Sequence, residues 1–260
     1  MVVLGLGQTA SNSRAWAGDL HAQAAAAVLQ QKFPGIDLSY LLLDETGQLV
    51  AQRWDEPERA LPIGSLIKPF IALAYGRSHD SFTTYRCTGK KTCWLSRGHG
   101  TLALRDAIAF SCNSYFHQLY SHAEPGFAVP VLSGFGLNVN PDGHSGNAAP
   151  LTLARAYLQL ATQPRDKVVA SITEGMELSA KIGTGKAARV ELHVPALAKT
   201  GTAPCTHSRS VPGDGFAVLM IPAEHPRGVL LVRVHGKPGA YAAGIAGKMM
   251  AAVENRGAAR

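Results

Sequence analysis

The sequence predicts a mixed α/β protein of the α+β type, in which an antiparallel sheet built from both chain ends is flanked by helices and carries an inserted all-helical lobe. Two observations lead to this fold class. Strand-like apolar runs occur near both ends of the chain, at Asp37 to Leu43, Gln48 to Trp54, Phe216 to Ile221 and Val229 to Val234. Helical patterns fill the middle of the chain and also flank these runs at both termini. No repeat or linker divides the sequence, so we expect a single domain at 19–260 with the lobe at about 76–190.

A helix and a hairpin are predicted at the start of this domain. Asp19 to Lys32 is alanine-rich, starts with Asp and ends before Phe-Pro-Gly, which is typical of a helix. Asp44 to Gly47 separates the first two strand-like runs and is typical of a hairpin turn. Pro62 and Gly64 then mark a turn, and the apolar run Leu66 to Tyr75 predicts the next helix.

Further helices are predicted beyond an irregular polar region, His79 to Gly100. Their patterns cover Leu102 to Phe110, Ser114 to Tyr120, Leu151 to Thr162 and Ala240 to Glu254. Pro150 favours a helix start, because proline suits the first helical turn. Gly134 to Ala149 is rich in Gly, Asn and Pro and is predicted to be a loop, while the mixed stretch around Gly175 is assigned to no element.

Composition argues against several classes of function. The sequence is 46% hydrophobic and 17% charged, as in an ordinary globular protein. The formal charge of +7 and the pI near 9.4 favour an anionic partner. Because Lys and Arg are scattered without a basic run, we expect no nucleic-acid binding. No apolar stretch approaches the roughly 18 residues that a membrane span needs.

The N-terminus has two interpretations. Val2 to Leu6 is apolar, and Ala15-Trp16-Ala17 has the small-x-small pattern of a signal-peptidase site. However, no positive residue precedes the apolar run, and the run is short for an export signal. We therefore expect residues 1–18 to be either the remainder of an export signal or a disordered terminus.

Ser65 and Lys68 form the first candidate site. The two residues are one helical turn apart and therefore lie on the same face of the predicted helix. Burial disfavours the ammonium form of a lysine, so a buried Lys68 could accept the proton of the Ser65 hydroxyl. By itself, the pattern is also compatible with Ser65 as a helix cap and Lys68 as a solvated helix residue.

Two further polar patterns follow later in the chain. Ser111 and Asn113 separate two helical runs and are predicted at an exposed bend, where either residue could instead cap the second helix. Lys199-Thr200-Gly201-Thr202 is the third pattern, and its alternative interpretation is a strand end with a turn. These patterns acquire more weight from their order than from any one of them alone.

The cysteines Cys87, Cys93, Cys112 and Cys205 allow three full pairings. Cys87 and Cys93 bracket a polar loop, so a local disulfide can form there if the protein is exported. Neither of these two belongs to a C-x-x-C pair, and the histidines are dispersed without a ligand spacing such as H-E-x-x-H. We therefore expect no metal and no cofactor.

The motifs Ser65-x-x-Lys68, Ser111-x-Asn113 and Lys199-Thr200-Gly201 stand in one order, and in this combination the sequence resembles the transpeptidase domain of penicillin-binding proteins. This domain belongs to the serine D,D-peptidase and β-lactamase superfamily. The flanking segments that are similar to those of the family are Gly64 to Pro69, Gly98 to Gly100, Ser111 to Phe116, Pro150 to Tyr157, Gly175-Met176 and Ala198 to Ala203. The resemblance runs from about Asp37 to the C-terminal helix and implies a β-lactamase/transpeptidase-like fold.

The resemblance implies acyl transfer through a covalent serine ester. Ser65 would attack the carbonyl of a terminal D-Ala-D-Ala bond, or a β-lactam ring that imitates it, with Lys68 as the base. Ser111 would relay a proton to the leaving amine. Asn113 would bind the substrate's amide backbone and steady Lys68.

The third motif is implied to bind the substrate. Lys199 would supply positive charge, and Thr200 and Thr202 would supply hydroxyls, for the terminal carboxylate, with Gly201 completing the motif. The oxyanion would be held by the backbone N–H groups of Ser65 and Thr202.

Three functions remain open at this point. The first is a D,D-transpeptidase or carboxypeptidase that acts on peptidoglycan stem peptides and binds β-lactams covalently. The second is a β-lactamase, although no Glu stands in a recognisable deacylation motif and Pro69 suits a penicillin-binding protein better. The third is a β-lactam or wall-fragment sensor without turnover. In each case we expect an extracytoplasmic protein, soluble or peripherally membrane-associated, with cell-wall proteins as candidate partners.

Overall fold

The computed structural model describes residues 22–35, 37–163, 166–206 and 213–257. The strands, in chain order, are β1 (Leu38–Asp44), β2 (Leu49–Arg53), β3 (Leu61–Pro62), β4 (Tyr85–Cys87), β5 (Gly100–Leu102), β6 (Asn138–Val139), β7 (Gly146–Ala148), β8 (Leu197–Ala203), β9 (Asp214–Met220) and β10 (Gly228–Val234). The helices are α1 (22–32), α2 (Lys68–Ser78), α3 (Leu104–Ala109), α4 (Asn113–Ser121), α5 (Val129–Gly134), α6 (Pro150–Thr162), α7 (Lys167–Lys181) and α8 (Gly239–Gly257).

The central feature is an antiparallel sheet of five strands in the order β2-β1-β10-β9-β8. The N-terminal strand β1 pairs with β10 from the C-terminal part of the chain, and Leu41 lies opposite Leu231. Residues of β1 and β9 are almost all buried on both faces, which agrees with their continuous apolar sequences. The predicted fold class, with a sheet built from both chain ends, is confirmed.

Helices cover both faces of this sheet. Successive side chains of a strand point to opposite sides, so the buried strand residues divide between two cores. Leu41 and Val218 belong to a core that also contains side chains of α2, α6 and α7. Tyr40 and Leu219, their chain neighbours, belong to a second core with Met249 of α8 and side chains of α1. The sheet is therefore the middle layer of three.

A region of short helices and small sheets, from 79 to 149, is inserted between α2 and α6. It contains α3, α4 and α5, a two-stranded sheet of β4 and β5, and a three-stranded sheet in the order β3-β7-β6 that includes β3 from outside the region. The predicted loop Gly134 to Ala149 thus contains two short strands. The lobe boundaries of about 76–190 stay a prediction, and α7, which lies inside them, packs against β8.

Helix α7 is the main element that the sequence analysis missed. Its N-cap is Asp166, whose Oδ1 accepts hydrogen bonds from the N–H groups of Val168 and Val169 at 3.0 and 2.9 Å. β-branched residues and Gly175 lower the intrinsic helix propensity of the segment. Tertiary burial of Ile172 and other apolar side chains stabilises the helix in spite of this.

The predicted N-terminal segment, residues 1–18, lies outside the described residues, as does the start of the helix predicted from Asp19. Residues 22–32 of that helix are helical. Within the described ranges, no helix combines the length and the apolar character that crossing a membrane requires.

Candidate active site

Ser65 lies on a short 3-10 turn, Gly64–Ile67, that leads into α2. Gly64 has a φ of +53°, and a Cβ at this position would overlap the carbonyl oxygen of Thr202. Glycine therefore allows the turn to lie directly against β8. Among the described residues no side chain caps the turn or α2, so the interpretation of Ser65 as a helix cap is wrong. Instead, its half-buried side chain lines a cavity.

Lys68 begins α2 and is fully buried, so the interpretation of this residue as a solvated helix residue is also wrong. Its Nζ donates to Asn113 Oδ1 at 2.6 Å and to the carbonyl oxygen of Ser111 at 2.9 Å. It also lies 5.6 Å from the centre of the Phe116 ring. Burial lowers the pKa of Lys68 to about 7, against the opposing effect of nearby thiols and Asp142. The amine is thus poised between its neutral and charged forms near neutral pH.

Ser111 lies at the bend between α3 and α4, as predicted, but it is buried there, so the prediction of an exposed bend is wrong for this residue. Its φ of +51° is in the left-handed region, which few residues other than glycine adopt. Its hydroxyl is 2.8 Å from Lys199 Nζ and 3.4 Å from Lys68 Nζ, and both amines donate to it. The N-cap of α4 is Cys112, whose sulfur accepts from the N–H of Tyr115 at 3.4 Å. Neither Ser111 nor Asn113 is the helix cap.

Lys199 lies within β8, which is the edge strand of the central sheet beside the serine turn. It is fully buried and donates to the carbonyl oxygen of Thr200 at 2.7 Å, in addition to its bond to Ser111. Burial and, secondly, repulsion from Lys68 hold the pKa of Lys199 well below its usual value. Two buried lysines therefore share one serine hydroxyl. The whole of Lys199-Thr200-Gly201-Thr202 is strand, so its interpretation as a strand end with a turn is not supported.

The hydroxyls that follow Lys199 are held in place by neighbouring residues. Thr200 Oγ1 donates to Thr184 Oγ1 at 2.6 Å. Thr202 Oγ1 accepts from the N–H of Gly239 at 3.1 Å, which links the strand to the start of α8. Both threonines line the cavity that Ser65 borders.

This cavity has a volume of about 890 Å³ and runs between the serine turn, the α3–α4 bend and β8. Six of the eight predicted site residues line it, namely Ser65, Ser111, Asn113, Thr200, Gly201 and Thr202. The other two, Lys68 and Lys199, are buried and bond to Ser111 or Asn113 at its edge. The fold thus brings residues from three distant segments of the chain around one groove.

No known protein-family profile and no curated protein sequence matches the chain. Solved structures do. Over 90% of this chain and 63% of the other, it is similar to PBP2 of Helicobacter pylori in its complex with MreC, with 17% identity and a TM-score of 0.78. The chain is also similar to Pseudomonas aeruginosa PBP2 in complex with WCK 5153, with 17% identity and a TM-score of 0.73. This match covers 93% of the present chain and 74% of the other. A third similar structure is the transpeptidase domain of FtsI4 from Legionella pneumophila, with 21% identity and a TM-score of 0.66. This match covers 92% of the present chain and 96% of the other.

The chain has the transpeptidase-domain fold of penicillin-binding proteins. It spans less than two thirds of the Helicobacter pylori chain but nearly all of the Legionella transpeptidase domain. The similarity therefore concerns the transpeptidase domain.

Among the groove-lining residues that were not predicted as site residues, Thr184 and Trp94 make side-chain hydrogen bonds to the predicted site. Thr184, which accepts the hydrogen bond from Thr200, lies in a Gly-Thr-Gly-Lys segment whose composition marks only a turn. Trp94 is 56% exposed, and its Nε1 donates to the carbonyl oxygens of Phe110 and Ser111 at 3.2 and 3.1 Å. A tryptophan within a predicted polar loop is the sequence signal that could have identified it.

The disulfide that Cys87 and Cys93 could form in an exported protein is not present between these two residues in the described structure. The sulfurs of Cys87 and Cys93 instead lie 3.6 and 3.5 Å from Nδ1 of His99, and Cys93 is also 3.9 Å from Cys112. Cys205 lies elsewhere, with its sulfur 3.5 Å from Nδ1 of His235. The cysteine spacing in the sequence did not reveal this grouping.

Proposed function

We propose that the chain is a serine acyltransferase that acts on the D-Ala-D-Ala ends of peptidoglycan stem peptides through a Ser65 acyl-enzyme, and that it binds penicillin covalently. The observation that carries the proposal is the buried lysine one helical turn after Ser65. Asn113 and Ser111 hold its amine, and its pKa is lowered to about 7. A lysine in this state can serve as a general base at neutral pH.

In the proposed acylation step, Ser65 Oγ forms a bond to the substrate carbonyl carbon and its proton passes to neutral Lys68. The tetrahedral intermediate then collapses as the peptide C–N bond, or the β-lactam amide bond, breaks. The leaving nitrogen receives a proton from Ser111 Oγ. Because both buried amines donate to this hydroxyl, Lys68 or Lys199 can replace the proton.

The groove supports an anionic substrate. Arg97 and Lys186 line it, and the described lining residues include no Asp or Glu. We assign the terminal carboxylate to the hydroxyls of Thr200 and Thr202, with Lys199 below them as a source of positive charge. The oxyanion is assigned to the backbone N–H groups of Ser65 and Thr202.

The lack of a carboxylate among the described lining residues also favours a long-lived acyl-enzyme over a β-lactamase. A β-lactamase needs a group that activates water to release the acyl chain, and a carboxylate commonly does this. We therefore expect slow hydrolysis of the penicillin adduct and transfer of a natural acyl group to an amine or to water.

Peptidoglycan lies outside the cytoplasm, and we place the reaction there. The complex of the Helicobacter pylori PBP2 with MreC is a precedent for a cell-wall protein as a partner of this fold. We extend that kind of partner to this chain as part of the proposal.

The test is incubation of the purified chain with a fluorescent penicillin, followed by intact-mass analysis and the lifetime of the adduct. We expect one stable adduct on Ser65 and no labelling of Ser65→Ala. The matched control is Ser78→Ala, a serine at the far end of the same helix. Among the described residues its hydroxyl bonds to its own helix and to His79, so this variant should label normally.

Other outcomes distinguish the alternatives. Rapid release of hydrolysed drug would indicate a β-lactamase, and absence of labelling in the folded wild-type chain would refute the acyl-enzyme. A stable adduct without turnover of a D-Ala-D-Ala pentapeptide would indicate a sensor.

A further inference from the structure

Four potential metal ligands converge behind the α3–α4 bend. Cys87 ends β4, Cys93 and His99 lie in the β4–β5 connection, and Cys112 caps α4. The three sulfurs and one imidazole nitrogen all lie within 4.8 Å of one another. All three cysteines are buried, and no residue of this group belongs to the proposed acylation machinery.

The distances between these atoms agree with a tetrahedral zinc site. Sulfur and nitrogen ligands at about 2.3 and 2.0 Å from a tetrahedral zinc ion lie about 3.8 Å apart as sulfur pairs and about 3.6 Å apart as sulfur–nitrogen pairs. The observed separations are 3.9 Å for Cys93 and Cys112, 3.6 Å for Cys87 and His99 Nδ1, and 3.5 Å for Cys93 and His99 Nδ1. Side chains that only pack against one another have no reason to adopt the ligand separations of a tetrahedral zinc site.

The imidazole of His99 is oriented toward the sulfurs. Its Nδ1 is the atom that faces Cys87 and Cys93, while the buried Nε2 has no hydrogen-bond partner among the described residues. Trp94 and Phe110 flank the ring, with centroid distances of 5.3 and 6.1 Å. Among the described residues, the polar contacts of the His99 ring are therefore those that its Nδ1 makes with the sulfurs of Cys87 and Cys93.

Apart from this cluster, few buried side chains stabilise the connection between β4 and β5. In residues 88–99 only Gly89 and Cys93 are buried, and the segment has no helix or strand. A connection of this length with so few buried apolar side chains gains little stability from a hydrophobic core. A structural metal is a common means of stabilising such a segment.

We propose that Cys87, Cys93, His99 and Cys112 bind one Zn²⁺ as a closed, structural Cys₃His site. The cysteines bind as thiolates, and their three protons are released to solvent on binding. His99 binds through Nδ1. Four protein ligands leave no open position, so the ion has no direct role with substrate.

The site ties a surface loop to the groove. Cys112 stands between Ser111 and Asn113 in the chain, and Trp94, next to Cys93, donates to the carbonyl oxygen of Ser111. A metal that fixes both Cys93 and Cys112 therefore holds the α3–α4 bend from behind. This positioning effect is separate from the existence of the metal site, which does not depend on the proposed acyltransferase activity.

The test is metal analysis of the full chain purified under reducing conditions, together with the absorption spectrum after replacement by Co²⁺. We expect about one zinc per chain, a thiolate-to-cobalt charge-transfer band and the intense d–d bands of tetrahedral cobalt. Cys87→Ser should lose the metal and the charge-transfer intensity. Cys205→Ser is the matched control, a cysteine outside the four ligands, and should retain both.

Several results would overturn the proposal. They are a folded wild-type chain that takes up neither ion, a Cys93–Cys112 disulfide in the unreduced protein, or metal loss in Cys205→Ser but not in Cys87→Ser. If Cys87→Ser fails to fold, the cobalt spectrum of the wild-type chain still decides the ligand class. Ser65→Ala should keep its metal, so failure of the acyl-enzyme hypothesis and failure of the zinc proposal remain distinguishable.

Discussion

Individual side chains carry the chemistry of the groove, and the two buried lysines are the unusual ones. Lysine is rarely buried in full, because desolvation of the ammonium group is costly unless its donors are paired. Lys68 bonds to Asn113 and Ser111, and Lys199 bonds to Ser111 and Thr200. Both amines meet at one serine hydroxyl, so their protonation states are linked.

Lys68→Ala should reduce the rate of penicillin adduct formation by at least about a hundredfold, the usual effect of removing a general base. In the wild-type chain the rate should rise as pH increases through about 7 and level off above it, because Lys68 accepts a proton only when neutral. The measurement is a pH profile of the labelling rate over the range in which the fold is retained.

The control for this variant is Lys248→Ala on α8, where the lysine is exposed. It should keep both the rate and the profile of the wild type. Near-normal labelling by folded Lys68→Ala, or a wild-type rate that does not change across pH 7, would exclude Lys68 as the base.

At the level of secondary structure, the serine turn and β8 depend on close backbone approach. Gly64 combines a left-handed φ with contact to the Thr202 carbonyl, so its lack of a side chain sets how closely Ser65 approaches the third motif. Tyr157 of α6 supports the same turn from behind, where its hydroxyl donates to the carbonyl oxygen of Leu66 at 2.6 Å.

Gly64→Ala should lower the free energy of unfolding by more than the roughly 1–3 kcal/mol of a strained backbone conformation, because the new methyl group also collides with β8. It should also slow acylation, since Ser65 is displaced from its partners. Denaturant unfolding and labelling rates measure the two effects.

Gly126→Ala is the matched control. Gly126 has a φ of +80° and no neighbouring atom within 4 Å of an added Cβ, so it has the strain without the collision. It should lose some stability and label normally. Equal effects of the two substitutions on labelling would contradict the importance of the approach to β8.

In the molecule as a whole, the sheet separates two cores with different tasks. The core with α2, α6 and α7 supports the groove, whereas the core with α1 and α8 lies on the opposite face. Sheet residues alternate between the two cores, and α8 contacts the groove at its first residues, where the N–H of Gly239 donates to Thr202. A defect further along α8, deep in the second core, should therefore lower global stability without displacing the groove.

Met249→Ala tests this separation, since Met249 is fully buried in the second core. We expect the free energy of unfolding to fall by about 2–5 kcal/mol, as for other large-to-small core substitutions. The labelling rate per folded molecule should be unchanged. A loss of labelling in the fully folded variant would show that the two cores are coupled.

Much of the fold and all of the proposed site residues could be predicted from sequence, because the patterns that mark them lie in short segments of the chain. Strand-like runs at both chain ends predicted the sheet and its strands β1, β2, β9 and β10 but not β8, and the apolar run after Gly64 predicted α2. The three motifs, with their flanks, also marked every one of the eight proposed site residues. Helix α7 was missed, since its β-branched residues have low helix propensity and its stability comes from burial by distant segments.

The sequence alone could not show which distant side chains come into contact in the folded protein. The separation of Cys87, Cys93, His99 and Cys112 in sequence matches no familiar metal pattern, yet folding of the β4–β5 connection onto α4 brings their ligand atoms together. The sharing of Ser111 by Lys68 and Lys199 arises in the same way. Local sequence determines helices, strands and turns, whereas burial, pKa and ligand geometry depend on contacts between residues far apart in the chain.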